Sequence, residues 1–196
     1  MLASRVPAPD FDRGEVKNVH QGDCLVGDSA SLTFSTVLGS CVAACVRDAA
    51  TGVGGMNHFL LASPSDIARD RYGASARYGA FAMEQLINSV LTRGSGRKSL
   101  LEFKIFGGGM VSAALSDIGA KNIAFVHQFL EDEGYAVLAE DVGGSFARRV
   151  MFKPNSGRAF VKRLDSSVAA SVASEELALA RRNRPLRTGT GEIELF

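Results

Sequence analysis

The chain is short of the features that would assign it to a class at once. It has three cysteines, Cys24, Cys41 and Cys45, an odd number with no C-x-x-C pair. That excludes a disulfide framework and a zinc ribbon, and sparse free thiols suit a reducing compartment. Charge of one sign is also missing: 22 Lys and Arg stand against 21 Asp and Glu, for a formal net charge of +1. Without a basic excess no nucleic-acid partner is expected, and long-range charge does not choose its partners. No apolar run nears the roughly 18 residues of a membrane helix, so no membrane insertion is expected. The opening MLASRVPAPDFDRGE lacks the apolar centre of a secretory signal. No internal repeat is present. The expectation is a cytoplasmic protein with free thiols.

What is there is ordinary globular material, 46% hydrophobic and 22% charged over 196 residues, enough for one packed domain. Residues 1 to 13, with Pro7 and Pro9, read as a flexible leader. Val16 to Val26 reads as a first strand carrying His20 and Cys24. Ser31 to Val37 (SLTFSTV) is β-branched and aromatic, hence strand. Val42 to Val46 reads the same way, and alternation then puts Cys41 and Cys45 on one face. Asp48-Ala-Ala-Thr-Gly52 is turn chemistry, and Val53 to Leu61 is the returning strand of a hairpin. Ser63 to Ala76, with Pro64 and Gly73, reads as a loop able to cover a site. Helical spacing marks Tyr78 to Leu91, and a second helix is read from Asn122 to Glu133, stopped by Gly134. Strands are read at Leu100 to Phe106, Tyr135 to Val142, Arg149 to Lys153 and Ala159 to Val161. A helical stretch begins at Ser166, and the chain ends in a loose GEIELF tail. Strands first, then helix and strand in alternation, predict an α/β sandwich of about 150 residues with an appended tail.

The chemistry concentrates between Phe34 and His58. Leu38-Gly39-Ser40 is a tight turn that delivers Cys41 at the head of an apolar run. Such a turn leaves backbone N–H groups free, and free donors beside a nucleophile can hold an oxyanion. His58 closes the returning strand after Gly54-Gly55-Met56-Asn57, and an imidazole there can take the thiol proton. Taken singly, a free cysteine is more often a small buried hydrophobe and a lone histidine a satisfied core residue. At facing ends of one hairpin the two reinforce each other. A catalytic histidine also needs a group to hold its ring, and Ser35 or Thr36 offers a hydroxyl. Gly107-Gly108-Gly109 lacks both the GK[ST] ending of a P-loop and the GxGxxG spacing, so it reads as a strand-to-helix turn. Arg77-Tyr78-Gly79, at the start of the first helix, is equally compatible with helix initiation and with a substrate contact.

The ordered motifs LGSCVAACVRD, GGMNHFLL, ARYGAFAMEQLIN, LEFKIFGGG and DVGG together resemble the CheD family of chemoreceptor glutamine deamidases, over Gly14 to Lys162. The resemblance implies an α/β sandwich related to the catalytic domain of cytotoxic necrotizing factors, with residues 163 to 196 an extension outside it. It implies hydrolysis of receptor glutamine side chains to glutamate and ammonia, with no cofactor and no metal. Carried over by position, the nucleophile falls on Cys41 and the base on His58. Strict spacing places the third member at Ser35, whereas residue type favours Thr36. Ser35, Gly39, Ser40 and Asn57 are then expected around the substrate, in a shallow groove beside Cys41. The implied partners are methyl-accepting chemotaxis receptors, with a CheC-like phosphatase as a further candidate; the alternative is a docking protein without catalysis.

Overall fold

The computed structural model describes residues 14–61, 74–112 and 116–182. The leader, most of the expected loop after Ser63 and the GEIELF tail lie outside these residues. The strands are β1 (Glu15–Asn18), β2 (Cys24–Gly27), β3 (Leu32–Leu38), β4 (Val42–Asp48), β5 (Gly54–Asn57), β6 (Leu101–Gly107), β7 (Val137–Val142), β8 (Arg148–Lys153) and β9 (Arg158–Arg163). The helices are α1 (Ala74–Arg93), α2 (Ser116–Asp132) and α3 (Ser166–Arg182).

Two sheets form, in the order β1-β3-β8-β9 and β2-β5-β4-β6-β7. Strand alternation decides what each buries. From β4, Ala43 and Cys45 turn toward the first sheet and join Leu32, Phe34, Leu38, Val150 and Phe152 in the core between the sheets. Val42, Ala44 and Val46 turn the other way, onto Met83, Leu86 and Val90 of α1 and Val126 and Leu130 of α2. The fold is thus an α/β sandwich in three layers: sheet, sheet, helices.

The expected first strand is two strands in different sheets, β1 beside β3 and β2 beside β5. The run from Val16 to Val26 is interrupted by a turn in which the Asp23 N–H donates to the His20 carbonyl at 2.9 Å. Because β1 and β3 are parallel, both end at the same edge, and from both the chain crosses to the second sheet. These two crossovers, residues 19–23 and 39–41, lie side by side.

Both long helices start earlier than their periodicity predicts. For α2 the reason is Gly119: a Cβ there would lie 2.6 Å from the Gly108 carbonyl oxygen, so glycine lets the first turn press against that backbone. A glycine that interrupts an apolar pattern is here a packing device.

Gly107 sits at φ +109°, and a Cβ on it would collide with the carbonyl oxygen of Cys41. Gly107→Ala is expected to lower the free energy of unfolding by at least about 2 kcal/mol, read from urea denaturation.

Candidate active site

The crossover from β3 to β4 is built so that its peptide groups all face one way. The Gly39 carbonyl accepts from Gly109 N–H at 2.6 Å and the Cys41 carbonyl from Gly108 N–H at 2.7 Å. Between them the Ser40 carbonyl accepts from the Asn122 side chain at 2.8 Å, whose own oxygen accepts the Leu61 N–H at 2.9 Å. The glycine run after β6 is therefore the buttress of the cysteine turn. With their carbonyls held on one side, the N–H groups of Gly39, Ser40 and Cys41 point out on the other.

These donors converge on one carboxylate. Glu176 of α3 accepts at Oε1 from Gly39 N–H (3.1 Å) and Cys41 N–H (3.2 Å). Its Oε2 accepts from Ser40 N–H (2.9 Å) and from the Ser40 hydroxyl (2.7 Å). Glu176 is buried, as are Ser40 and Cys41. The Cys41 thiol contacts the Gln21 side-chain oxygen at 3.6 Å. Among the described residues no open groove reaches Cys41, which is buried beside the Glu176 carboxylate.

His58 faces the same space. Val42 and Phe59 form an antiparallel bridge, with N–H···O distances of 3.0 and 2.9 Å. Both point to the helices, so their neighbours Cys41 and His58 point between the sheets, as diagonal partners on one face. The hydrogen bonds assign the imidazole tautomer. The Thr36 hydroxyl donates its one proton to the Val19 carbonyl at 2.7 Å. It can then only accept from His58 Nδ1, 2.9 Å away, and the Val19 carbonyl lies 3.3 Å from the same nitrogen. The proton therefore sits on Nδ1, and Nε2 carries a lone pair with no partner among the described residues. Burial pushes the His58 pKa down, against the pull of Val19, Glu176 and Asp23, so the ring is neutral. Burial also pushes the Cys41 thiol well up, and the charge of Glu176 and its hydrogen bond with the thiol add to this.

Of the other residues read from the sequence, Thr36 and His58 meet, and Gly39 and Ser40 supply donors. Ser35 lies on the opposite face of β3; it lines, with Thr36, His58, Gln21, Arg149 and Glu176, a cavity of about 450 Å³. Asn57 is not at the site. Its side chain turns to the helices, accepting from Ala44 N–H at 2.9 Å and donating to the Ala82 carbonyl at 3.0 Å, because it alternates with His58. Tyr78 does come near: its hydroxyl lies 3.6 Å from where a Cβ on Gly22 would stand, in the neighbouring crossover. Cys45 is a buried core residue, and Cys24, half-buried, has its thiol pushed up to about 11 by burial. Sequence reasoning missed Glu176, Gln21 and Asn122. Asn122, a polar residue in the apolar pattern of α2, carried the only visible signal.

A family model described as CheD chemotactic sensory transduction matches residues 60–163, just over half of the chain. The chain belongs to the CheD family. A Caulobacter sp. (strain K31) protein named probable chemoreceptor glutamine deamidase CheD is 47% identical over 190 residues, covering 94% of this chain and 96% of its own. One of the same name from Caulobacter vibrioides is 51% identical over 149 residues, 76% of this chain and 78% of its own. Another, named probable chemoreceptor glutamine deamidase CheD 1, from Dechloromonas aromatica, is 48% identical over 193 residues, 95% and 92%. The family model ends before α3, whereas the first and last of these relatives match through it.

A histidine held neutral by the fold ties stability to pH. The unfolded chain takes up a proton near pH ~6.5 that folded His58 refuses until lower pH, so stability is full above that value and falls on acidification. The urea midpoint of the wild type is expected to drop more between about pH 7.5 and 5 than that of His58→Gln.

Proposed function

We propose that this protein hydrolyses glutamine side chains of methyl-accepting chemotaxis receptors to glutamate and ammonia, with Cys41 as nucleophile, His58 as base and Thr36 as the group that orients it. The observation that carries the reading is the crossover. A thiol and an imidazole with its lone pair on Nε2 share one face of the β4 bridge, beside the consecutive amides of the turn, although no hydrogen bond joins the sulfur to Nε2. The activity in the names of the CheD relatives is the one such a set can perform.

In this reading Nε2 of His58 takes the Cys41 proton and the thiolate attacks the amide carbon of the glutamine. The carbonyl oxygen gains charge as the carbon becomes tetrahedral, and the N–H groups of Gly39 and Cys41 hold it. The Cys41 N–H is already oriented by the Asn122 bond to the Ser40 carbonyl of the same peptide, so little reorganisation is needed there when charge develops. Collapse breaks the carbon–nitrogen bond, and ammonia leaves with the proton held on Nε2. The remaining thioester is opened by water, which gives a proton to Nε2 and its oxygen to the carbon; that proton returns to sulfur. Thr36 fixes the proton on Nδ1 throughout, so that Nε2 is the nitrogen that works.

A cytoplasmic fragment of a chemotaxis receptor incubated with the protein is expected to gain about one dalton at particular glutamines by peptide mass spectrometry. Cys41→Ala is expected to lower that rate by several decades while leaving the urea midpoint near wild type. Thr36→Val, which keeps shape and loses the hydroxyl, is expected to lower kcat more than it raises KM. Conversion by Cys41→Ala at the wild-type rate would sink the mechanism.

A further inference from the structure

A glutamine attacked by Cys41 has to bring its amide to the donors of the crossover, and those donors are taken. The Glu176 side chain is chemically what a deamidated glutamine becomes, a carboxylate on two methylenes. Its Oε1 lies on the Gly39 and Cys41 N–H groups, where the reacting oxygen of a substrate would lie. Its Oε2 lies on Ser40, on the side from which the amide nitrogen would leave. The thiol and the crossover thus meet a built-in product.

The helix that carries it is tethered to β9. Two residues separate α3 from β9, and the Leu164 N–H donates to the Ala147 carbonyl at 2.9 Å. Among the described side chains of α3, only Ala169, near the tether, and Glu176 are buried. Beyond the tether the carboxylate of α3 engages four donors of the turn. The helix also walls the cavity that reaches His58, through Val172, Glu175 and Glu176.

We propose that α3 is a tethered product mimic, which seats Glu176 where the substrate amide reacts and keeps the enzyme closed until the helix leaves. This rests on the deamidase reading of the same site. A receptor glutamine and Glu176 then compete for one set of donors, and anything that draws α3 away opens the enzyme. Opening also removes a negative charge from beside the thiol, which eases its ionisation. A second consequence is specific to the seat. With glutamine at position 176 the helix becomes a substrate in the same chain. Sulfur bonds to the side-chain carbon, ammonia departs, and water supplies the oxygen that restores glutamate.

The test uses the full chain. Glu176→Gln, produced alone and together with Cys41→Ala, is digested and residue 176 read by mass spectrometry. The single variant is expected to carry glutamate there, a gain of about one dalton, with one 18O incorporated in labelled water, and the double variant to keep glutamine. In parallel, Glu176→Ala is expected to speed both Cys41 alkylation by iodoacetamide and receptor-fragment deamidation roughly tenfold or more. Ser174→Ala, exposed on the same helix and outside the cavity, is expected to change neither. Should the glutamine introduced by Glu176→Gln persist beside an intact Cys41, and Glu176→Ala leave alkylation and receptor conversion at wild-type rates, the product mimic is overturned while the deamidase stands. Should alkylation accelerate in Glu176→Ala but neither the introduced glutamine nor those of the receptor ever convert, the closed seat stands and the deamidase reading fails.

Discussion

Two peptide groups at the β3–β4 crossover are fixed by their carbonyl ends, and the donors beside the thiol follow from that. A peptide unit is planar, so holding one carbonyl sets the direction of the next N–H. Gly109 holding the Gly39 carbonyl aims the Ser40 N–H, and Asn122 holding the Ser40 carbonyl aims the Cys41 N–H. The donors on the open side therefore cost little to orient when an anion arrives. The glycines at 107 and 108 are required because both stand at positive φ and the first presses against the Cys41 carbonyl.

Electrostatically the site rests in a consistent closed state. Thiol and imidazole are both neutral, each held so chiefly by burial, and the charge that acts on the thiol is the Glu176 carboxylate. That carboxylate satisfies the open donors and at the same time discourages a thiolate beside it. Removing the carboxylate reverses both effects together.

The layering explains which neighbours take part. His58 and Asn57 are adjacent, yet one faces the thiol and the other is bound to α1, because successive strand residues face opposite layers. Thr36 and Ser35 divide in the same way on β3: the threonine reaches His58 from the inter-sheet face and the serine lines the cavity behind it. A one-residue difference in position is thus a difference of layer.

By itself the sequence determined the strands around the cysteine, the hairpin that opposes Cys41 to His58, and the family to which the chain belongs, because these depend on alternation, turn residues and motifs close together along the chain. Only the tertiary structure decided that the first apolar stretch splits between two sheets, that Thr36 rather than Ser35 meets the imidazole, that Asn57 faces away, and that Asn122 and the glycine run brace the turn. It alone brought Glu176 to the crossover, from 135 positions beyond Cys41. The physical reason is that local pattern sets which face a side chain takes. What meets it there depends on how distant elements pack, and a buried polar contact across such a distance leaves almost no periodic trace in the chain.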